Sequence, residues 1–122
     1  MDNFTRQYLE TALWSSTDES RDDGGDPMDD NYTVDDIDPE TVSAAQLDCD
    51  NFREKAGDLL DEHPDPTMGA HDFWLTRNGH GAGFWDGDWP ENGDKLTGMV
   101  GWRTEFPEVH LYVGDDGKIR QL

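Results

Sequence analysis

Residues 38–64 read DPETVSAAQLDCDNFREKAGDLLDEHP, and this stretch predicts the longest helix of the chain. Asp38 is a capping acid, and Pro39 suits the first helical position. Apolar side chains then recur every three or four residues, as a buried helix face requires; they are Val42, Ala45, Cys49, Phe52, Ala56 and Leu59. Pro64 and Pro66 end a helix of about 24 residues and roughly 36 Å. Cys49 lies on the apolar face, which predicts a buried and unreactive thiol.

The opposite side of this helix is acidic, with Asp48, Glu54, Asp58, Asp61 and Glu62 predicted along an outer face. The preceding residues 15–40 hold eleven acids and one base, and their glycines and prolines disfavour a helix. We therefore predict an acidic loop at about residues 15–37. Tyr32, Val34 and Ile37 alternate at its end, and we expect them to hold that end against the body of the protein.

Four further elements complete the predicted fold. A first helix is expected over residues 3–14, with Asn3 as its cap. Residues 71–86, HDFWLTRNGHGAGFWD, predict a β-hairpin, because Asn-Gly supplies the positive φ angles of a tight turn. A short helix is expected over residues 94–102, and a second hairpin joins residues 109–113 to 118–121 through Asp-Gly. The fold class is α+β, with N-terminal helices, one of them long, packed on a small antiparallel sheet built from two hairpins.

Length and charge limit the class of protein. A chain of 122 residues is expected to form a single domain, residues 1–122. The formal net charge of -20 argues against direct binding to nucleic acid or to an anionic membrane, so partners should be cationic proteins or metal ions. Apolar runs stay below ten residues, which predicts neither a signal peptide nor a membrane span. One cysteine, without an internal disulfide partner, fits a reducing, cytoplasmic setting.

Several motifs resemble a family of small acidic proteins encoded by tailed bacteriophages and prophages. The resemblance rests on HDFWLTRNGHGAGFWDGDW at residues 71–89, ALWSS at 12–16, NYTVDDIDPET at 31–41, GDKLT at 93–97 and LYVGDDGKI at 111–119. It covers nearly the whole chain and implies a phage origin and the cytoplasm of a host cell. The family brings no established activity and no catalytic residues. Residues 98–107 depart from it, because relatives continue there with an alanine-rich helix.

The charge suggests a DNA mimic that inhibits a host DNA-binding or defence protein. Twenty net charges match the phosphates of about 10 base pairs, or about 34 Å of duplex, and the long helix has a comparable length. The carboxylates predicted to bind a basic, nucleic-acid-binding host protein are Asp22, Asp23, Asp29, Asp30, Asp35, Asp36, Asp48, Asp50, Glu54, Asp58, Asp61 and Glu62. The alternatives are an acidic surface that serves solubility or adaptation to high salt, and a phage accessory protein without inhibitory activity.

The sequence gives weaker evidence for a catalytic site, a metal site or an aromatic binding surface. A hydrolase would use side chains around the aromatic hairpin; these are His71, Asp72, Arg77, His80 and Asp86. Asp86, Asp88, Glu91 and Asp94 are oxygen-rich, but their spacing does not fit an EF-hand, so no metal site is assigned. Phosphate-loop, dinucleotide, paired-cysteine and nucleophile-elbow motifs are missing, and no cofactor is predicted. Trp74, Trp85 and Trp89 would anchor a partner if they were exposed together.

Overall fold

The computed structural model describes residues 1–20 and 25–122. Within these residues the α-helices are α1 (Asn3–Ser15), α2 (Pro39–Ala56), α3 (Met68–Arg77) and α4 (Gly93–Thr97), and the strands are β1 (Thr17–Asp18), β2 (Asp26–Pro27), β3 (Leu111–Val113) and β4 (Ile119–Gln121). Strand β1 pairs with β2, and β3 pairs with β4, both antiparallel. The α+β class is therefore confirmed. Each described helix is too short or too polar to cross a bilayer.

The cap of α1 lies one residue earlier than predicted. Asp2, not Asn3, is the N-cap, and its carboxylate accepts a hydrogen bond from the Thr5 backbone N–H at 2.8 Å. An ionised cap makes a charge-assisted bond and interacts favourably with the positive end of the helix dipole. The sequence contains two residues suited to capping in succession, and the charged one takes the position.

The start of α2 matches the prediction. Asp38 accepts a hydrogen bond from the Glu40 backbone N–H at 3.1 Å, and Pro39 is the first helical residue. The α-helix ends at Ala56 because Gly57 adopts φ 53°. The chain then continues as a 3₁₀ helix, Gly57–Glu62. The 18 residues of α2 and the six of this 3₁₀ segment together match the predicted length.

The predicted β-hairpin at residues 71–86 is wrong, because its first half belongs to α3. Gly79 has φ 67°, and the His80 backbone N–H donates to the Leu75 carbonyl at 3.1 Å, which closes the end of the helix. A helix C-terminus and a tight hairpin both place glycine in the left-handed conformation. The Asn-Gly pair therefore ends a helix here instead of joining two strands.

Helix α3 lies in the interior, which explains why its sequence shows no helical period. The fold buries seven of its ten residues: Gly69, Ala70, Asp72, Phe73, Trp74, Leu75 and Arg77. A helix buried on most sides lacks the polar face that gives an amphipathic pattern. Residues 71–77 are consequently buried as part of a helix and not as a strand.

The second predicted hairpin is confirmed near the C-terminal end of the chain. Tyr112 lies opposite Arg120, and the Gly114 N–H donates to the Lys118 carbonyl at 2.8 Å across the turn. Gly117 adopts φ 77°, as the Asp-Gly signal requires. The first strand begins at Leu111, two residues later than expected. Helix α4 is shorter than the predicted residues 94–102, since the chain leaves the helix at Gly98.

The other sheet lies where a loop was predicted. Strands β1 and β2 have two residues each, too few to produce an alternating pattern. Two 3₁₀ helices follow, Met28–Asp30 and Val34–Asp36. Val34 and Ile37 are buried, and Ile37 forms a bridge to Ile119, so the predicted attachment of this end of the segment is confirmed.

Aromatic rings form the centre of the core. Phe52 of α2 stacks on Phe73 of α3 with ring centroids 4.2 Å apart. Phe106 meets both rings edge-on, at 5.8 and 5.3 Å, and Phe84 lies 5.8 Å from Phe52. Each such pair adds about 0.5 to 1.5 kcal/mol beyond the area it buries. This centre fixes the orientation of α2 and therefore which of its side chains face the solvent.

Candidate functional site

The exposed side of α2 and of the following 3₁₀ segment carries four carboxylates, which we call the acidic row: Asp50, Glu54, Asp58 and Asp61. Asp50 and Glu54 are four residues apart in α2, which places them on one side of that helix, and Asp58 and Asp61 are three residues apart in the 3₁₀ helix that follows Gly57. The opposite side contributes Cys49, Phe52 and Ala56 to the core. Since the backbone of the row is packed against the interior, its carboxylates extend from a fixed scaffold.

Three carboxylates of the acidic row have no counter-ion in the described part of the chain. Glu54, Asp58 and Asp61 make no hydrogen bond or ion pair with any residue described. Asp50 differs, because it accepts a hydrogen bond from Gln46 at 2.8 Å and lies 3.7 Å from the Arg53 guanidinium. Most of the charge of the row is thus available to an external cation.

Asp48 does not belong to the outer face, contrary to the prediction. Its carboxylate accepts a hydrogen bond from Arg77 Nη1 at 2.9 Å. The Arg77 side chain is 2% exposed and also donates to the Tyr8 hydroxyl and to the Pro107 carbonyl, each at 2.9 Å. A buried guanidinium requires such partners, because an unpaired buried charge is very costly. Asp48 therefore neutralises a cation inside the fold.

Glu62 also has a structural contact. Its two carboxylate oxygens accept hydrogen bonds from the backbone N–H groups of Glu91 and Asn92, at 2.7 and 2.9 Å. These residues immediately precede α4, so Glu62 caps the helix from a distant part of the chain. The bonds join the end of the long helical segment to α4, and they withdraw Glu62 from the predicted outer face.

The acids predicted in the loop also divide into exposed ones and ones that hydrogen-bond within the fold. Asp29, Asp30 and Asp35 are exposed on the two 3₁₀ helices, which Met28 and Val34 attach to the core. Asp36 instead accepts a hydrogen bond from the Thr33 backbone N–H at 2.9 Å and completes a capping box.

Asp22 and Asp23 of the predicted surface lie outside the described residues. Their contribution to that surface stays a prediction.

The acidic row can be compared with a strand of DNA by the spacing of its charges. Within α2, Asp50 and Glu54 are about 6 Å apart along the axis, given about 1.5 Å per residue. Asp58 and Asp61 are also about 6 Å apart along the 3₁₀ segment, given about 2 Å per residue. Phosphates of one DNA strand are separated by about 3.4 Å, so each pair has about half the linear charge density of a strand.

The histidine and aspartate that suggested a hydrolase face different neighbours. His71 Nδ1 lies 2.9 Å from the Thr11 hydroxyl of α1, whereas Asp72 accepts a hydrogen bond from Trp89 Nε1 at 2.7 Å. Burial raises the pKa of the Asp72 carboxyl. Arg77 is held in the Asp48 network, so within the described residues these groups do not assemble a catalytic dyad.

His80 lies apart from His71 and Asp72, beside a surface groove. Its ring makes no hydrogen bond with a carboxylate of the described residues. The histidine–carboxylate pair of the hydrolase hypothesis is therefore not formed at His80 in the described part of the chain.

The other candidate groups are dispersed. Among residues 1–20 and 25–122, no three acidic, histidine or cysteine side chains have a geometry that would hold a metal ion, including those of residues 86–94. Trp74 and Trp89 are buried, whereas Trp85 is 52% exposed, so the three tryptophans do not form one apolar anchor. Cys49 is fully buried as predicted, and burial raises the pKa of its thiol to about 12.

Comparisons with models of protein families, with curated proteins and with solved structures found no match to this chain. A function must therefore be inferred from the geometry. Sequence reasoning missed the structural contacts of Asp48 and Glu62, since their partners Arg77, Glu91 and Asn92 are about 30 residues away in sequence. No local signal identifies such pairs.

Proposed function

We propose that this protein binds the basic groove of a nucleic-acid-binding protein and competes there with DNA. The observation that supports the proposal is the acidic row, with Asp50 and Glu54 on α2 and Asp58 and Asp61 on the 3₁₀ segment that follows it. Carboxylates on a rigid scaffold bind a cationic surface without the entropy cost of ordering a flexible chain. Their field also steers a cationic partner into contact.

The acidic row supplies one line of charge, and the exposed loop acids supply more. Asp29, Asp30 and Asp35 precede α2, whose 18 residues have an axial length of about 27 Å. This length corresponds to about 8 base pairs of duplex. The proposed surface is thus smaller than the twelve carboxylates predicted from the sequence, because Asp36, Asp48 and Glu62 form hydrogen bonds within the fold.

The proposed partner is a host protein that normally holds duplex DNA, and the phage resemblance makes a defence protein the specific candidate. A cleft lined with lysine and arginine carries counter-ions that are released when a polyanion binds. Binding through the acidic row must therefore weaken steeply with salt. The protein would act in the cytoplasm of the host cell as an inhibitor without catalytic chemistry.

The test is affinity capture from a host lysate with the immobilised protein, followed by mass spectrometry. We expect nucleic-acid-binding proteins that are released as salt rises from about 50 to about 500 mM, and that duplex DNA displaces. Capture that does not respond to salt or DNA would contradict the proposal. Capture of no nucleic-acid-binding protein would favour an accessory protein or a merely solubilising surface.

A charge-matched pair of variants separates the acidic row from net charge. The row variant E54Q/D58N/D61N removes three negative charges from the row, and the control D88N/E91Q/D115N removes three from exposed side chains elsewhere. We expect at least a tenfold loss of affinity for the captured partner in the row variant and less than threefold in the control. Equal losses would mean that the overall charge, and not the row, determines binding.

A further inference from the structure

Strands β1 and β3, one from each small sheet, contribute residues to a common surface trough. A pocket of about 470 Å³ and a neighbouring one of about 210 Å³ lie between residues 15–20 and residues 108–113. The two pockets adjoin, because Thr17, Glu19, Leu111 and Tyr112 line both. We call this space the trough. It is separate from the acidic row, none of whose residues lines it.

One edge of β3 borders the trough without a strand partner in the described residues. The His110 carbonyl accepts a hydrogen bond from Leu122 N–H at 3.0 Å, and Gly114 N–H donates to Lys118. Backbone groups in an antiparallel pair alternate between the partner and the other side. Leu111 and Val113 therefore direct their N–H and C=O groups away from β4. No described residue forms a backbone hydrogen bond with them there.

The walls of the trough combine negative charge with apolar surface. Glu19 and Glu108 contribute carboxylates, and the described lining residues include neither lysine nor arginine. Two histidines also line the trough, and His110 Nε2 lies 3.1 Å from the Glu108 carboxylate, so Glu19 is the carboxylate without a partner among the described residues. Leu111 and Val113 are partly buried against the core and offer apolar contacts in the same walls. An occupant should therefore be extended, with basic side chains to meet the carboxylates and apolar ones to meet the strand.

We propose that the trough is a second binding site, which takes an extended basic segment of a partner protein as an additional strand on the free edge of β3. Strand addition gives affinity through main-chain hydrogen bonds and specificity through alternate side chains. Strand β3 has three residues, so three to five residues of the partner are held, about 10 to 16 Å of extended chain. The site does not depend on the proposed DNA mimicry.

The test uses a defined peptide and the backbone amides of β3. The probe is the blocked hexapeptide Ac-KVKVKV-NH₂, titrated into the ¹⁵N-labelled protein. We expect the amide hydrogens of Leu111 and Val113 to exchange with solvent at least tenfold more slowly when the peptide is bound. The Tyr112 amide, which is directed towards β4, is the internal control and should change less than twofold.

Two further peptides distinguish strand addition from simple attraction to an acidic protein. Ac-EVEVEV-NH₂ has the opposite charge and should not bind. A version of the probe with all six residue nitrogens methylated keeps every positive charge but lacks the N–H groups that a ladder requires on either edge, and it should bind at least tenfold more weakly. Equal binding of the methylated peptide, absent protection at Leu111 and Val113, or no binding at about 1 mM probe would overturn the proposal.

Protein variants complete the test. L111P removes one free-edge N–H that does not pair with β4, and edge strands tolerate proline. We expect it to lose probe binding at least tenfold. E19Q/E108Q changes two exposed side chains only, and it should weaken probe binding even if L111P fails to fold. The row variant E54Q/D58N/D61N should bind the probe within threefold of the wild type, so that failure of either proposal is recognised separately.

Discussion

Replacing Arg77 by methionine is expected to destabilise the protein by about 3 kcal/mol. The Arg77 guanidinium is almost fully buried and donates hydrogen bonds to Asp48, to the Tyr8 hydroxyl and to the Pro107 carbonyl. Methionine retains an apolar chain of similar length against the neighbouring Phe73 ring. The substitution therefore removes the charge and the donors while it preserves much of the packing.

The magnitude follows from what the substitution leaves behind. Removing one partner of a buried ion pair costs roughly 3 to 5 kcal/mol, because the remaining charge loses its compensation. The Asp48 side chain is 30% exposed, so water partly solvates it and places the cost of this step at the lower end. The Tyr8 hydroxyl is buried and loses a donor, which adds about 1 kcal/mol. The variant no longer has to bury the guanidinium charge, and this gain offsets a loss of about 1 kcal/mol.

The assay is urea unfolding followed by tryptophan fluorescence, with thermal unfolding by circular dichroism beside it. For a domain of this size, 3 kcal/mol lowers Tm by about 10 °C. In a double-mutant cycle with Asp48→Asn, the double variant should be at least 1 kcal/mol more stable than the sum of the single losses predicts. If R77M lies within about 1 kcal/mol of the wild type, or the two losses simply add, the buried pair does not have the role assigned to it.

Three further predictions follow from individual contacts. Glu62→Ala should lower the free energy of unfolding by about 1 to 2 kcal/mol, because two backbone N–H groups before α4 lose their acceptor. The neighbouring substitution Asp61→Ala should cost less than about 0.5 kcal/mol in the same urea assay. Equal costs would argue that Glu62 does not cap α4. The Asp72→Asn variant should gain stability relative to the wild type as pH rises from about 3 to 7. The pKa of Asp72 is higher in the folded than in the unfolded protein, so the wild type loses stability as pH rises from the unfolded pKa to the folded pKa, and asparagine does not titrate. The asparagine oxygen can still accept from Trp89, and a difference independent of pH would contradict this reasoning. The Cys49 thiol, with its pKa raised by burial to about 12, should react with iodoacetamide at least a hundredfold more slowly in the native protein than in 6 M guanidinium; comparable rates would show that the thiol is accessible.

The elements predicted correctly are those whose signals lie within a few neighbouring residues. Asp38 and Pro39 define the start of α2 through one side-chain bond and one fixed dihedral angle. The Asp-Gly turn defines the C-terminal hairpin through the φ of Gly117. Each signal acts over one turn of chain, so the sequence contains all that is needed to recognise it.

Helix α3 shows why a local signal can be misread. Its residues are buried on several sides by α1, α2 and the segments around Phe84 and Phe106, so its composition reflects the interior and not a helical period. The glycine that ends it suits a hairpin equally well. Only the packing of the remaining chain distinguishes the two outcomes.

The candidate site shows the same division between local and long-range information. Composition and the period of residues 38–64 were sufficient to predict a long helix with acids on its outer side, because charge is costly to bury and a 3.6-residue period sorts the faces. They did not distinguish Asp58, which is exposed, from Asp48, which neutralises a buried arginine. That distinction arises when Arg77 is enclosed by three separate segments of the chain. Which carboxylates remain available to a partner is therefore decided by the tertiary structure, since burial brings together ionised groups that the sequence holds far apart.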